Sequence, residues 1–162
     1  MAQMPSGSNP ARRPAAAPRI DQRRAPFRIV AGPSRIHRWG VYAAENIPAN
    51  RKVIEYTGER IGRREAKKRL GRKLNYIFAL DDYWSIDGGV RGSGAEFINH
   101  SCEPNLRAWI CNGHILYMSL RPIRRGEELL VDYRFGPDRR RVGCKCGANR
   151  CRGTINLRPD EE

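Results

Sequence analysis

The segment Asn99-His-Ser-Cys-Glu-Pro-Asn105 sets an amide, an imidazole and a thiol close together, and 42 residues after Cys102 the chain reads Cys144-Lys-Cys-Gly-Ala-Asn-Arg-Cys151. Three thiols at Cys-x-Cys-x4-Cys spacing are one short of the four that a tetrahedral zinc takes, so one ligand must come from elsewhere. Cys102 is the expected fourth, and such a site would fold the tail back onto the body of the domain. The alternative is a three-cysteine cluster of reduced thiols. Cys111, beside Trp109 and Ile110 in an apolar run, reads as a small buried hydrophobe. Five cysteines is an odd number, which argues against a disulfide framework. Without a metal the last twenty residues, mostly Arg, Gly and Asn, have little apolar area to hold them down.

Positioning these groups falls to a β-rich body. From Phe27 onward, short apolar runs at 40–43, 53–56, 76–80, 84–86, 106–111, 115–120 and 128–133 are divided by Gly, Pro and Asn. That spacing predicts many short strands rather than a helical bundle. Helical signal is confined to the charged stretch 63–70 and to 93–98, where Ser93 with Glu96 three residues later reads as a capping box. Residues 1–26 are rich in Ala, Pro and Arg, with prolines at 5, 10, 14, 18 and 26, and are expected to be a disordered basic arm. The length of 162 residues suits one ordinary domain. No N-terminal stretch has the length of an apolar signal peptide, so a soluble intracellular protein is expected.

Lys and Arg total 31 against 17 acids, for a net charge of +14, and 26 of the 31 are Arg. The charge is therefore held mostly by groups that fork onto phosphate and stay ionised. Eight basic residues against one acid fall at 60–73, and seven against one at 134–152. These runs read either as solvated faces or as a nucleic-acid or nucleosome contact.

Five motifs occur in one order: His37-Arg-Trp-Gly-Val-Tyr-Ala, Glu55-Tyr-Thr-Gly-Glu59, Asn99-His-Ser-Cys-Glu-Pro-Asn105, Gly126-Glu-Glu-Leu-Leu-Val-Asp-Tyr133 and Cys144-x-Cys-x4-Cys-Arg-Gly-Thr-Ile-Asn156. In residue types and order, roughly over 27–157, the chain resembles the SET-domain protein lysine methyltransferases with a post-SET zinc segment. The resemblance implies a mostly β fold of several small sheets with short helices, a C-terminal pseudoknot and a zinc-bound post-SET tail. It divides the chain into the arm at 1–26, a SET domain at 27–137 and a post-SET segment at 138–162. It further implies S-adenosylmethionine as methyl donor, a structural zinc at Cys102, Cys144, Cys146 and Cys151, and a protein-lysine N-methyltransferase activity.

That chemistry has a physical requirement that the residues can be checked against. An unperturbed lysine amine has a pKa near 10.4, so deprotonating it at pH 7 costs roughly 4–5 kcal/mol, and only the neutral amine can attack a methyl group. A narrow aromatic channel favours the neutral form by desolvation, and a nearby sulfonium pushes the same way. By resemblance Tyr133 is the catalytic tyrosine, acting by orientation and electrostatics rather than as the principal base, and Tyr56 lines the lysine channel with Tyr76. Val131, two before Tyr133, and Ala108 are small, which suggests a channel roomy enough for di- or trimethylation. Asn99 and His100 match cofactor-binding positions. His37, Arg38, Trp39, Tyr76, Lys145 and Ile155 would complete that pocket. Arg38 departs from a family pattern in which Gly is common, and at positive φ it would carry strain.

The expected substrate is a histone or another nucleic-acid-associated basic protein. A basic peptide would be repelled by the overall field unless local acids such as Asp81, Asp82, Glu96 or Glu103 line the channel mouth, or a polyanion bound to the basic faces carries the target. The expected location is nucleus or chromatin in a eukaryote, and cytoplasm or secretion as an effector in a bacterium. Two other classes stand beside this reading: a catalytically inactive SET-like module that binds basic tails or nucleic acid, and a zinc-dependent nucleic-acid binder, which leaves the Asn99 and Glu55 motifs unexplained.

Overall fold

The computed structural model describes residues 16–72, 75–137 and 139–161. In chain order its elements are β1 (Ile29–Pro33), β2 (Trp39–Ala43), β3 (Lys52–Tyr56), β4 (Glu59–Gly62), α1 (Arg63–Arg69), β5 (Ile77–Ala79), β6 (Trp84–Asp87), β7 (Asn99–His100), β8 (Leu106–Cys111), β9 (His114–Ser119) and β10 (Leu130–Val131), with 3-10 turns at Gln22–Arg24 and Ala95–Phe97. Three small sheets result: β1-β2, β3-β9-β8-β10-β7 and β4-β6-β5. This is the mostly β architecture that the short apolar runs predict. No described helix is long and apolar enough to cross a membrane.

Local sequence explains the main hairpin. Asn112 and Gly113 both adopt positive φ, 49° and 77°, and Cys111 pairs with His114 across them. Two-residue turns of this kind match the twist of the flanking strands. Along β9 the side chains alternate, and Ile115, Tyr117 and Ser119 point inward. They join a core that includes Ile29, Val41, Ile47, Ile54, Leu106, Leu129 and Val131.

The decisive topological feature is β10, which lies between β7 and β8 and runs parallel to both. Those two strands are joined directly by the loop 101–105, so the later strand passes beneath an earlier loop. The loop is tied down at each end. Ser101 N–H donates to Val131 O at 3.1 Å and Asn105 N–H to Leu130 O at 3.2 Å, while the Asn105 side chain donates to Glu128 O and accepts from Leu130 N–H, both at 2.8 Å. Threading of this kind is avoided by most folds. Here it places Tyr133 beside the Asn99-His100 pair, which lies more than thirty residues earlier in sequence.

Two expectations need adjustment. The helix expected at 63–70 is α1, but the one expected at 93–98 is only the single 3-10 turn Ala95–Phe97. The Ser93–Glu96 capping box does not form: Gly94 is the N-cap, its N–H donates to Glu96 Oε2 at 2.8 Å, and the Ser93 hydroxyl donates to Glu55 O at 2.6 Å. Of the arm expected at 1–26, residues 1–15 lie outside the described residues, as do Lys73 and Asp138 of the basic runs. The packed body begins before Phe27. Ala25 is buried and Ile20 packs on the core, Asp21 N–H donates to Ser93 O at 2.8 Å, and a Cβ on Gly94 would stand 2.5 Å from Ile20 Cδ1. Isolated apolar residues with no period dock onto a partner far away in sequence, which no local pattern displays.

Candidate active site

A cleft of about 310 Å³ is lined by Ala16, Pro18, His37, Arg38, Trp39, Tyr76, Glu96, Phe97, Asn99 and Tyr133. The turn between β1 and β2 supplies His37, Arg38 and Trp39. Arg38 sits at φ 32°, the left-handed region that costs a non-glycine residue about 1–2 kcal/mol. Asn99 anchors the floor: its side-chain nitrogen donates toward Trp39 O at 2.8 Å, Glu128 Oε1 at 2.9 Å and Ser34 Oγ at 3.1 Å. Three acceptors around one NH2 group fix the amide orientation, because the opposite flip would set oxygen against oxygen. Gly40 is required beside this knot, since a Cβ there would stand 2.2 Å from Glu128 Oε1.

An aromatic group borders the cleft. The Tyr56 ring meets Phe78 edge-on at 5.4 Å and Tyr117 at 6.1 Å, and Tyr76 meets Phe97 at 5.6 Å. The Tyr56 hydroxyl donates to Tyr76 O. Tyr133 donates to Ile98 O at 2.8 Å; its ring is 37 % exposed, open on the cleft side, while the hydroxyl end is enclosed by protein. Burial pushes the Tyr133, Tyr56 and Tyr117 hydroxyls well above the ordinary phenol range. Burial thus favours the neutral phenol at all three, and Tyr56 and Tyr133 serve as donors.

Behind Tyr133 lies the cysteine cluster. The sulfurs of Cys102, Cys144, Cys146 and Cys151 all lie within 4.8 Å of one another. Cys102–Cys144, Cys102–Cys151 and Cys146–Cys151 are separated by 3.8, 3.9 and 3.6 Å. Four thiolates about 2.3 Å from a tetrahedral zinc stand about 3.8 Å apart, so the donor set and its spacing fit that ion. Backbone N–H groups of Cys146, Arg152 and Gly153 point at Cys144, Cys102 and Cys151 sulfur, each at 3.4 Å, and such donors stabilise thiolate ligands. Burial pushes the Cys102 and Cys144 thiols up, whereas at Cys146 the N–H groups of Cys102 and Ala148, with the Cys144 and Cys151 sulfurs, outweigh burial and bring it down to about 6.

The cluster is coupled to the cleft through His100 and Asp132. His100 Nδ1 accepts from Tyr133 N–H at 3.2 Å, which leaves Nε2 as the protonated nitrogen facing Cys102 Sγ at 3.4 Å. Arg152, which follows the last cysteine, forks onto Asp132 at 2.7 and 2.8 Å. Burial raises the Asp132 carboxyl, but the Arg152 fork outweighs it and holds the group below its ordinary value. A depressed carboxylate stabilises the fold above its unfolded pKa, so the contribution is complete at pH 7 and is lost only as the pH falls below about 4. Removing Arg152 strands a half-buried carboxylate. Arg152→Ala is expected to cost about 3 kcal/mol in thermal unfolding at pH 7, and a Tm unchanged within a degree would refute the coupling.

The family model of the SET domain matches residues 38–134. The chain belongs to the SET-domain family. It is 39 % identical over 150 residues to the "Histone-lysine N-methyltransferase, H3 lysine-4 specific" of Aspergillus oryzae, covering 85 % of this chain and 12 % of that protein. It is 42 % identical over 135 residues to the protein of the same name from Schizosaccharomyces pombe, covering 77 % of this chain and 15 % of the relative. The chain thus spans about an eighth of the length of these curated relatives. Among solved structures it resembles KRYPTONITE in complex with methylated DNA and S-adenosylhomocysteine, with a TM-score of 0.71 and 31 % identity over 83 % of this chain and 30 % of that one. A second KRYPTONITE complex, which also holds an H3(1-15) peptide, gives a TM-score of 0.69 at 30 % identity.

Within this SET domain His37, Arg38, Trp39, Tyr76, Asn99 and Tyr133 line one cleft. His100 is buried behind it. Lys145 is exposed and Ile155 half-buried in the post-SET segment, and neither lines the cleft. Val131 is 2 % exposed and belongs to the core, and Ala108 lies on the exposed part of β8 opposite Tyr117. Cys111 is half-buried, because β8 runs beyond the core at its hairpin end. Ser34, Phe78, Phe97, Tyr117 and Glu128 belong to the site but have no motif of their own. Only the quoted Gly126-Glu-Glu run could have pointed to Glu128.

Proposed function

We propose that this SET domain is a protein-lysine N-methyltransferase that uses S-adenosylmethionine. The observation that carries the reading is the cleft itself. Tyr133 lines the cleft beside Asn99 and residues 37–39, and its hydroxyl lies within electrostatic reach of Tyr56 and Tyr117, which pack with Phe78. A methyl donor held in the cleft would therefore stand close to that aromatic cluster. The Asn99 knot, which orients a side-chain carbonyl away from three inward acceptors, fits a ligand bearing hydrogen-bond donors.

When bound, S-adenosylmethionine supplies an electrophilic methyl group on a sulfonium. The rest of the work is done by this chain. The aromatic walls strip water from the incoming ammonium and so favour its neutral form. Because the tyrosine hydroxyls stay protonated, the proton leaves to water as the channel fills, and Tyr133 holds the amine in line. The cysteine cluster, filled by zinc, fixes the tail and through it Asp132, His100 and Tyr133.

The substrate supported best is a histone. The curated relatives are named for H3 lysine 4, and one solved neighbour holds an H3 peptide. Such a substrate places the enzyme on chromatin: in the nucleus of a eukaryote, or at host chromatin as a secreted effector if the source is bacterial. The test is transfer of labelled methyl to free histones, nucleosomes and mixed lysates. Label in the histone fraction is expected; labelled S-adenosylmethionine that binds but transfers to none of the three would favour the inactive SET-like module.

Product number is expected to be two or three, since the residue opposite Tyr117 on β8 is the small Ala108, whereas Val131, packed in the core, does not wall the channel. Because Val131 is a core position, Val131→Tyr would overpack it by about 1–3 kcal/mol, and Val131→Ile with Ala108→Phe is the cleaner pair. Strictly monomethylated product from the unmutated chain at long times would count against the roomy channel.

A further inference from the structure

One carboxylate in the cleft has no part in the chemistry described so far. In a chain this rich in arginine the other enclosed acids are paired with cations: Glu55 with Arg24, Glu59 and Asp87 with Arg69, Glu127 with Arg121 and Asp132 with Arg152. Glu128 has no cation but accepts from the Asn99 amide. Glu96, on the 3-10 turn Ala95–Phe97, lines the cleft with Tyr76 and Tyr133 and forms no ion pair among the described residues.

Its position is fixed by close packing. Glu96 Oε2 accepts from Gly94 N–H at 2.8 Å. A Cβ on Gly92 would stand 2.5 Å from Glu96 Oε1, and one on Gly88 would stand 2.9 Å from Glu96 Cβ and 2.7 Å from Tyr56 Oη. The Glu96 stem and the Tyr56 phenol thus flank one glycine. Tyr133 Oη donates to Ile98 O, two residues further along the chain. Burial raises the Tyr76 hydroxyl most and the Glu96 charge next, with Arg38 opposing; the same charge adds to the rise at Tyr56 and Tyr117, after burial and a neighbouring phenol. The remaining ionisable groups on the two strands packed against this turn are engaged elsewhere, Lys52 with Glu55 and Tyr42 with Pro33 O. His37 and Arg38 line the cleft without an ion pair to Glu96. Burial pushes the Glu96 carboxyl upward, toward the range in which a general base works best at neutral pH.

We infer that Glu96 is the proton acceptor for the target lysine, the station between its ammonium and the water outside the cleft. This rests on the methyltransferase reading. The ammonium gives one proton to the carboxylate, leaving a neutral amine and a carboxylic acid. The amine lone pair then forms the N–C bond to the methyl group as the electron pair of the S–C bond returns to sulfur, so the sulfonium becomes a thioether and the nitrogen a methylammonium. Glu96 passes its proton to water before the next transfer.

Single-turnover methylation by the full chain tests this with two H3 peptides, one carrying lysine 4 and one carrying thialysine there, whose sulfur makes the amine less basic. Glu96→Gln keeps the shape and an acceptor for Gly94 N–H. It should slow transfer to lysine about 100-fold at pH 7, and the deficit should narrow as the pH rises toward the pKa of free lysine, near 10.4. Transfer to thialysine should suffer less, and S-adenosylmethionine affinity by calorimetry should stay as in the unmutated chain. Glu96→Asp, which keeps a carboxylate, should recover part of the rate. The assignment is overturned if Glu96→Gln transfers at the unmutated rate, if its deficit is the same at every pH and for both amines, or if cofactor affinity falls in step with the rate. Absence of transfer by the unmutated chain to any histone substrate would sink the methyltransferase reading, and this assignment with it.

Discussion

Tyr133→Phe is expected to lower turnover about 100- to 1,000-fold, the loss seen when one preorganised donor is removed from a reacting centre, while S-adenosylmethionine affinity changes little. The split follows from where the hydroxyl sits. It donates to Ile98 O at 2.8 Å, at the seam between the Asn99 side and the aromatic side, so it positions the reacting groups more than it holds either ligand. The structural cost is one hydrogen bond, about 1 kcal/mol, and the ring that packs on His100 and Phe135 is kept. Single-turnover kinetics beside calorimetry separates the two effects. Equal turnover in the variant would refute the role of Tyr133. An equal loss of affinity and rate would show it to be part of the cofactor pocket instead.

Cys146→Ser should have the broadest effect. Structural zinc sites of this donor type contribute about 10–16 kcal/mol of apparent binding energy at pH 7, and beyond the cluster the tail is held to the body by the Arg152 fork on Asp132, the Arg150–Glu103 pair and the Leu157 N–H to Phe135 O bond. The contacts it makes depend on the cluster being closed. Thr154 and Asn156 are buried against the carbonyls of Val142, Gly136 and Arg139, within the tail itself and the turn before it. Loss of zinc is therefore expected to free residues 139–158 as a unit, open them to trypsin at their arginines, and remove the Arg152 fork from Asp132. Metal content by elemental analysis, limited proteolysis and cofactor affinity should all fall together, and a chelator should reproduce the effect in the unmutated chain. Acid should do so as well, since the ligands bind as thiolates and protons compete with the metal. Full activity in a metal-free variant would remove zinc from the account.

Much of the site is legible one residue at a time. The four sulfurs expected to share a metal do lie together, because thiols at Cys-x-Cys-x4-Cys spacing have few stable arrangements in a reduced chain and Cys102 stands in a turn-forming Glu-Pro-Asn context. Seven of the strands coincide with the short apolar runs, since burial on one face leaves a visible trace in residue type. The other three were less visible: β1 carries Gly and Pro, β4 (Glu59–Gly62) has Ile61 as its one large apolar residue, and the two-residue β7 is too short for any period. Local pattern also could not show that Ile20 and Ala25 dock on the core, for a lone apolar residue is as compatible with an arm as with a packed segment. Val131 illustrates the reverse case. Its place two before Tyr133 suggested a channel wall, but a strand inserted between two others is buried on both sides.

Residue types and their order were enough to point to the SET family: a metal-ligating thiol set, a tyrosine at a strand end and an Asn-His pair. Those are properties of side chains that need no partner to be recognised. What no stretch of the chain carries within itself is the threading of β10 beneath the 101–105 loop, the convergence of Ser34, Trp39 and Glu128 on one amide, and the placement of Arg38 and Glu96 in the same cleft. Each depends on contacts between residues dozens of positions apart, whose formation is governed by shape and burial across the whole core rather than by any local preference.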